Sequence, residues 1–225
     1  MASGLRLTIA GALVLATVGW GQTGPGGKYH PPRIAQAGDI AYPINSQTPG
    51  FVTLDVSLDA KGAVQNVGVV RDLPPFTSVA QSAVKSWQFT PATVNGDAVA
   101  GTARVHIVFN PYNPAGVGLP GEPLRPTNGK GAANGDFQPP QLRKASYATY
   151  PPNTVASETV VLQVHVGSQG KVRGVTVVHG TGPLNEAATS AVKTWAFAPA
   201  TYKGNAVGSE VGVAFVFPLP EAGTR

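Results

Sequence analysis

Four histidines, a pair of aspartates and two glycine-rich stretches are the residues of this chain whose types and spacing could do chemistry. His30, His106, His165 and His179 would supply imidazoles for metal binding or proton transfer. None lies at ligand spacing from another His, Asp or Glu on one predicted strand or helix. His106 and His165 occupy the alternate positions of otherwise apolar runs, which predicts solvent-facing rings. Asp55 and Asp59 stand on a strand and its turn, where two carboxylates could share acid–base work. Gly121 to Lys130 has the look of a phosphate loop, but its glycine spacing is wrong and Gly131 replaces the required Ser or Thr. His179-Gly180-Thr181-Gly182 would need a Gly-x-Ser-x-Gly nucleophile elbow to serve as an oxyanion loop; without one it is expected to be a turn. Trp87-x-Phe89 and Trp195-x-Phe197 would be stacking platforms if exposed, and core if they face a sheet.

An internal repeat weighs these alternatives. Shifted by about 108 positions, the stretch from Pro31 to Phe109 lies on Pro139 to Phe217 without a gap, and about 30 of about 79 positions are identical. Shared residues include Tyr42-Pro43 and Tyr150-Pro151, Gly62 and Gly170, and Trp87-x-Phe89-x-Pro91-Ala92 with Trp195-x-Phe197-x-Pro199-Ala200. A residue in both copies serves the architecture. The chemical candidates do not recur: Ala214 stands opposite His106, Ser57 opposite His165, Arg71 opposite His179, and Gln163 and Gly167 opposite Asp55 and Asp59. No catalytic, metal or cofactor site is therefore expected, and the chain reads as a non-enzyme.

The elements that position these residues follow from period and punctuation. Phe51 to Leu58 alternates, with Val52, Leu54, Val56 and Leu58 on one side and Thr53, Asp55 and Ser57 on the other, the pattern of a half-buried strand. Asp59-Ala60-Lys61-Gly62 and Gly167-Ser168-Gln169-Gly170 are turns, and Val64 to Val70 completes a hairpin. Beyond Thr77 and Asn185, both able to cap a helix, Ala80, Ala83, Val84, Trp87 and Ala188, Ala191, Val192, Trp195 fall at helical spacing. Pro91 and Pro199 end those helices. After Asn95-Gly96 and Lys203-Gly204, Arg104 to Phe109 and Gly212 to Phe217 read as third strands. The predicted fold class is α+β, two tandem domains that are each a three-stranded antiparallel sheet packed against a helix.

Composition sets the organisation around the repeats. The net charge of +5 comes from the spacers and lead-in segments, whereas each repeat is close to balanced, so no basic face for nucleic acid is expected. Leu7 to Val18 is largely apolar behind Arg6, and Gly19 and Gly21 are small. This predicts a signal peptide over 1–21, or else a short uncleaved anchor; the run is shorter than the roughly 20 residues a bilayer needs. The chain has no Cys, which excludes disulfides and a lipid-modified cysteine. The expected layout is a spacer 22–30, a first domain 31–110, a Pro/Gly-rich linker 111–138, a second domain 139–218 and a disordered tail 219–225.

The order Tyr-Pro, hairpin, Ala-rich helix, Trp-x-Phe-x-Pro-Ala, Asn/Lys-Gly turn and β-strand resembles the C-terminal domain of TonB proteins, the energy transducers of the Gram-negative envelope. The resemblance covers both repeats. It implies a periplasmic, protein-binding domain without cofactors that engages extended segments of envelope or outer-membrane transport proteins by adding them to the edge of its last strand. On this chain that edge maps to Thr102, Arg104, His106 and Val108, and to Glu210, Gly212, Ala214 and Val216. The second copy's last strand is apolar on both faces and is expected to be the stickier. The short leader and short spacer argue for a binding role over energy transduction through an inner-membrane anchor. A structural envelope protein that contacts peptidoglycan, or self-associates through the last strand, is the alternative.

Overall fold

A computed structural model describes residues 29–43, 49–111, 118–119, 136–152, 154 and 156–218. The expected leader 1–21, the tail 219–225 and most of the expected linker lie outside them. β1 (Tyr29–His30) lies at the end of the expected spacer, and the first repeat contains β2 (Arg33–Gln36), β3 (Gly50–Leu58), β4 (Val64–Arg71), α1 (Phe76–Lys85), β5 (Gln88–Thr90), β6 (Ala92–Val94), β7 (Asp97–Val99) and β8 (Gly101–Phe109). A two-residue strand, β9 (Gly118–Leu119), follows within the expected linker. β10 (Phe137–Gln138) lies at the end of the expected linker, and the second repeat contains β11 (Gln141–Ser146), β12 (Glu158–Val166), β13 (Val172–His179), α2 (Gly182–Lys193), β14 (Ala196–Ala198), β15 (Ala200–Tyr202), β16 (Asn205–Val207) and β17 (Ser209–Phe217). The chain is α+β, as the repeat predicts.

The hairpin glycines are fixed by two constraints at once. Gly62 and Gly170 have φ of 82° and 76°, a region that strains any L side chain. A Cβ at Gly62 would stand 2.2 Å from the Phe89 carbonyl oxygen, and one at Gly170 1.9 Å from that of Phe197. The Trp-x-Phe segments therefore run directly over the hairpin turns, and Phe197 N–H donates to the Gly170 carbonyl at 2.8 Å.

The helices begin differently from the capping expectation. α1 starts at Phe76, and the Thr77 hydroxyl turns back to accept from Leu73 N–H at 2.8 Å. α2 starts three residues before Asn185, whose side-chain amide donates to the Gly180 carbonyl at 3.1 Å. Pro183 explains the early start, since its fixed φ suits the first turn of a helix.

The larger departure is in the sheets. The two three-stranded sheets are one: a six-stranded sheet in the order β13-β12-β17-β8-β3-β4. Within each repeat the pairing is antiparallel, and the repeats join through β17 and β8 in parallel. Val213 pairs with His106, although its equivalent in the first copy is Val105. This one-residue offset turns equivalent side chains to opposite faces. One apolar cluster therefore joins Val52, Leu54 and Val56 and α1 with Val161, Ala214 and Val216 of the second repeat. The other joins Leu162, Val164 and Phe215 and α2 with Phe51 and Val108 of the first. The helices cover opposite faces, and every residue of β8 is buried. The half-buried strand expected at Phe51–Leu58 is thus corrected: Thr53 is fully buried because the other repeat covers its face.

Candidate functional site

The two strand edges expected to receive a partner are hydrogen-bonded to each other. Val105 to Phe109 pair with Gly212 to Val216, so this seam occupies His106 and Val108 of the one expected edge and Gly212, Ala214 and Val216 of the other, while Thr102, Arg104 and Glu210 precede its register. The physical reason lies in the side chains of the last strands. Apolar residues on both faces of β17 suit a central strand of a sheet covered on both sides, and a parallel ladder satisfies its backbone groups.

The residues private to one copy build this seam. On the face that carries α2, Arg104 is 1% exposed and clasps Asp55 from the adjacent strand, with Nε and Nη2 each 2.8 Å from a carboxylate oxygen. Its Nη1 donates to the Pro140 carbonyl at 3.3 Å, which ties down the lead-in of the second repeat. Two residues along, His106 is fully buried, contrary to the solvent-facing ring its alternation predicts. Its Nδ1 lies 3.0 Å from Thr53 Oγ1, and its ring sits 6.4 Å from Trp195, 5.9 Å from Phe197 and 6.5 Å from Phe51. The Trp-x-Phe motif of the second copy thus packs on a histidine of the first. Nearby, Arg71 lies over the Phe51 ring at 4.2 Å.

The opposite face has a different chemistry at the equivalent positions. Glu210 faces Arg33 at 3.2 Å and His165 Nδ1 at 3.3 Å, and accepts from Gln163 Nε2 at 3.3 Å. His165 is 29% exposed, with its ring directed at this carboxylate rather than into solvent alone. Gln163 Oε1 accepts from Ile34 N–H, and Thr159 Oγ1 from Ile40 N–H, both at 2.8 Å. Gly212 leaves room for Ile34, whose Cδ1 would be 2.5 Å from an added Cβ. The lead-in of the first repeat is held in this way on the sheet of the second, as Asn110 holds Ala148 of the second lead-in in a reciprocal pair of bonds.

The acidic pair is divided between two structural tasks. Asp55 serves Arg104, while Asp59 accepts from Lys61 N–H and Ala63 N–H at 2.8 and 2.9 Å and from Gln65. Those backbone donors, Ala63 foremost, hold the Asp59 carboxyl below its usual range. His179 reaches Asp39 at 3.1 Å. Tyr29 stacks on Tyr202 at 5.2 Å beside Phe137, and burial, with Tyr202 adding, pushes its phenol well up.

The outer strands of the sheet are the edges that sequence reasoning missed. β4 and β13 each pair on one side only within the sheet. The exposed large apolar side chains among the described residues, Val69, Val70 and Val177, all lie on these two strands. The register shifts of β4 against β3 and of β13 against β12 twice along each strand, irregularities that increase the local twist of both strands. The available signal was the second strand of each hairpin, where Val69-Val70 and Val177-Val178 break simple alternation.

A family model described as Gram-negative bacterial TonB protein C-terminal matches residues 42–111 and 146–219. No curated protein and no solved structure matches the chain. Among the described residues no helix is long and apolar enough to cross a membrane.

Proposed function

This chain belongs to the Gram-negative bacterial TonB protein C-terminal family through both of its repeats, and on that premise we propose that it is a non-catalytic protein-binding module of the periplasm. It takes extended segments of envelope or outer-membrane transport proteins as added strands, on the outer edges β4 and β13. The observation that carries this reading is the seam: pairing β8 with β17 consumes the last-strand edges and leaves the hairpin strands at the two ends of the sheet. Five strand spacings separate them, roughly 24 Å. Two edges at that distance suit one partner with two segments, or two partners held together, with a gain in avidity. Backbone pairing gives the affinity, and the exposed valines give apolar contacts for alternate side chains of the guest.

The natural absence of cysteine makes a direct test available. Single cysteines at Val69, Val177 and, on the seam, Val108 are introduced into the full chain and labelled with a benzophenone maleimide, and photocross-linking is performed in intact envelopes. Discrete adducts at Val69 or Val177 and none at Val108 are expected. Adducts confined to Val108 would return the binding site to the last strands.

A further inference from the structure

We propose that the lead-in of the first repeat, at Ala37 and Gly38 just past β2, takes residues 219–225 of the same chain as an added strand, the counterpart of β9 in the second repeat. This edge is distinct from β4 and β13, and the inference does not depend on which of those binds a partner.

The two repeats differ at this point. In the second, β11 runs on to Ser146, and β9 pairs with its end, Leu119 with Ala145 and Gly118 with Ser146. In the first, β2 stops at Gln36. Among the described residues no strand pairs with Ala37 or Gly38, which stand at the places of Ala145 and Ser146. Ala145 is buried, whereas Ala37 is half-buried. A Cβ built on Gly38 would meet nothing within 4 Å, so the place beside it is open.

The indoles register the same difference. Trp195 Nε1 donates to the Ser146 carbonyl at 3.1 Å, so the strand end that β9 holds is also the acceptor for this N–H. Trp87, its equivalent, is 4% exposed, and its Nε1 is buried with no hydrogen-bond partner among the described residues. A buried donor without a partner keeps the full cost of its lost water, so an arrangement that brings the Gly38 carbonyl to it is favoured. A strand paired with Ala37 and Gly38 does this by extending β2 over the two further residues that β11 already has.

The occupant follows from the relation between the repeats. β8 and β17 run parallel and leave the sheet at the same end, where Asn110 N–H donates to the Val216 carbonyl at 2.9 Å. After β8, residues 111–117 lead from Asn110 to β9, and Asn110 itself holds Ala148, two residues past Ser146. The equivalent of 111–117 in the repeat is 219–225, which follows β17. Ile40, two residues past Gly38, is held by Thr159 Oγ1, and Thr159 pairs with Val216 near the end of β17. The same short gap therefore faces both segments, and residues 219–225 fully extended reach roughly 23 Å. Ala222-Gly223-Thr224, small and free of proline, is the part of the segment fit to pair.

The test compares the purified full chain with one that stops at Pro218, by amide hydrogen exchange and by the Trp87 indole N–H resonance. In the full chain at least one of the Ala37 and Gly38 amides is expected to exchange about tenfold or more slowly than in the shortened chain, the scale of one hydrogen bond. The Trp87 indole proton is expected to lie downfield, near that of Trp195, and to move upfield on shortening, while the amides of Val105–Phe109 stay protected in both. Should the shortened chain fail to fold, disulfide formation in the full chain decides. Gly38→Cys is combined in turn with Glu221→Cys, Ala222→Cys, Gly223→Cys and Thr224→Cys, and one position or two neighbours are expected to close well ahead of the rest. Equal rates at all four positions, or exchange and indole resonance unchanged by shortening, would overturn the proposal. Disulfide-linked dimers in place of closed monomers would give the edge to a second copy, and protection that appears only when envelope extract is added would give it to another protein; either result overturns the assignment to residues 219–225.

Discussion

Arg104 and Asp55 form a two-bond clasp across neighbouring strands, at 2.8 Å each, in a place where the arginine has lost almost all contact with water. Neither residue recurs in the second copy, where Gly212 and Gln163 stand at the equivalent positions. The clasp is local to the first repeat, yet its third bond reaches Pro140 in the second. Differences between the copies thus serve the joint between them. Two identical halves would place an arginine under Ile34, where Gly212 leaves space only for a hydrogen.

The clasp predicts asymmetric costs. Asp55→Asn removes the two charge-assisted bonds to a buried guanidinium and is expected to cost about 3–5 kcal/mol in urea unfolding. Replacing both partners with apolar residues, as in Asp55→Leu with Arg104→Met, removes the buried charge and is expected to restore most of that loss. A double variant no better than the single would show that the pair contributes chiefly through its bond to Pro140.

The turn glycines predict a contrast between two positions with the same backbone sign. Gly204 has φ of 79° with open space around it, so Gly204→Ala is expected to cost about 1–2 kcal/mol from backbone strain alone. Gly170→Ala adds a collision with the Phe197 carbonyl and is expected to cost more than about 3 kcal/mol or to prevent folding. Thermal unfolding of the two variants compares them directly.

Two groups predict pH responses of opposite sense. The Asp59 carboxyl is held low by Ala63 and Lys61 N–H groups, so its contribution is present above about pH 3.9 and lost as pH falls through the lower native value. Asp59→Ala should flatten the acid limb of a stability profile. Tyr29 is pushed up by burial and by Tyr202, so its contribution is complete below about pH 10 and declines as pH rises beyond. Tyr29→Phe should lessen that alkaline decline, to which the buried phenols of Tyr42 and Tyr147 also contribute, followed by tyrosinate absorbance alongside unfolding.

Much of each repeat is readable from its residues because local rules and packing agree there. Gly62 and Gly170, the Asn95-Gly96 and Lys203-Gly204 turns and Trp-x-Phe-x-Pro-Ala each have a local conformational reason and keep it in both copies. The joint is less readable because alternation assigns residues to faces without saying what covers each face. Thr53, Arg104 and His106 are polar and look solvent-bound, yet the second repeat lies over them. The apolar run Val211–Phe217 did carry the signal, since a strand apolar on both faces is a central one. Its partner could not be chosen from sequence: another protein, another molecule and the other repeat would all satisfy the same backbone edge.

The pairing of the last strands is the point on which the rest depends, and inter-strand nuclear Overhauser contacts measure it most directly. Between Val105–Phe109 and Gly212–Val216, Ile107 should show backbone contacts to Ala214, and Val108 to Phe215, in a parallel register with slowly exchanging amides on both strands. Absence of those contacts, with β8 and β17 amides exchanging as quickly as those of β4 and β13, would contradict the single sheet and reopen the last-strand edges.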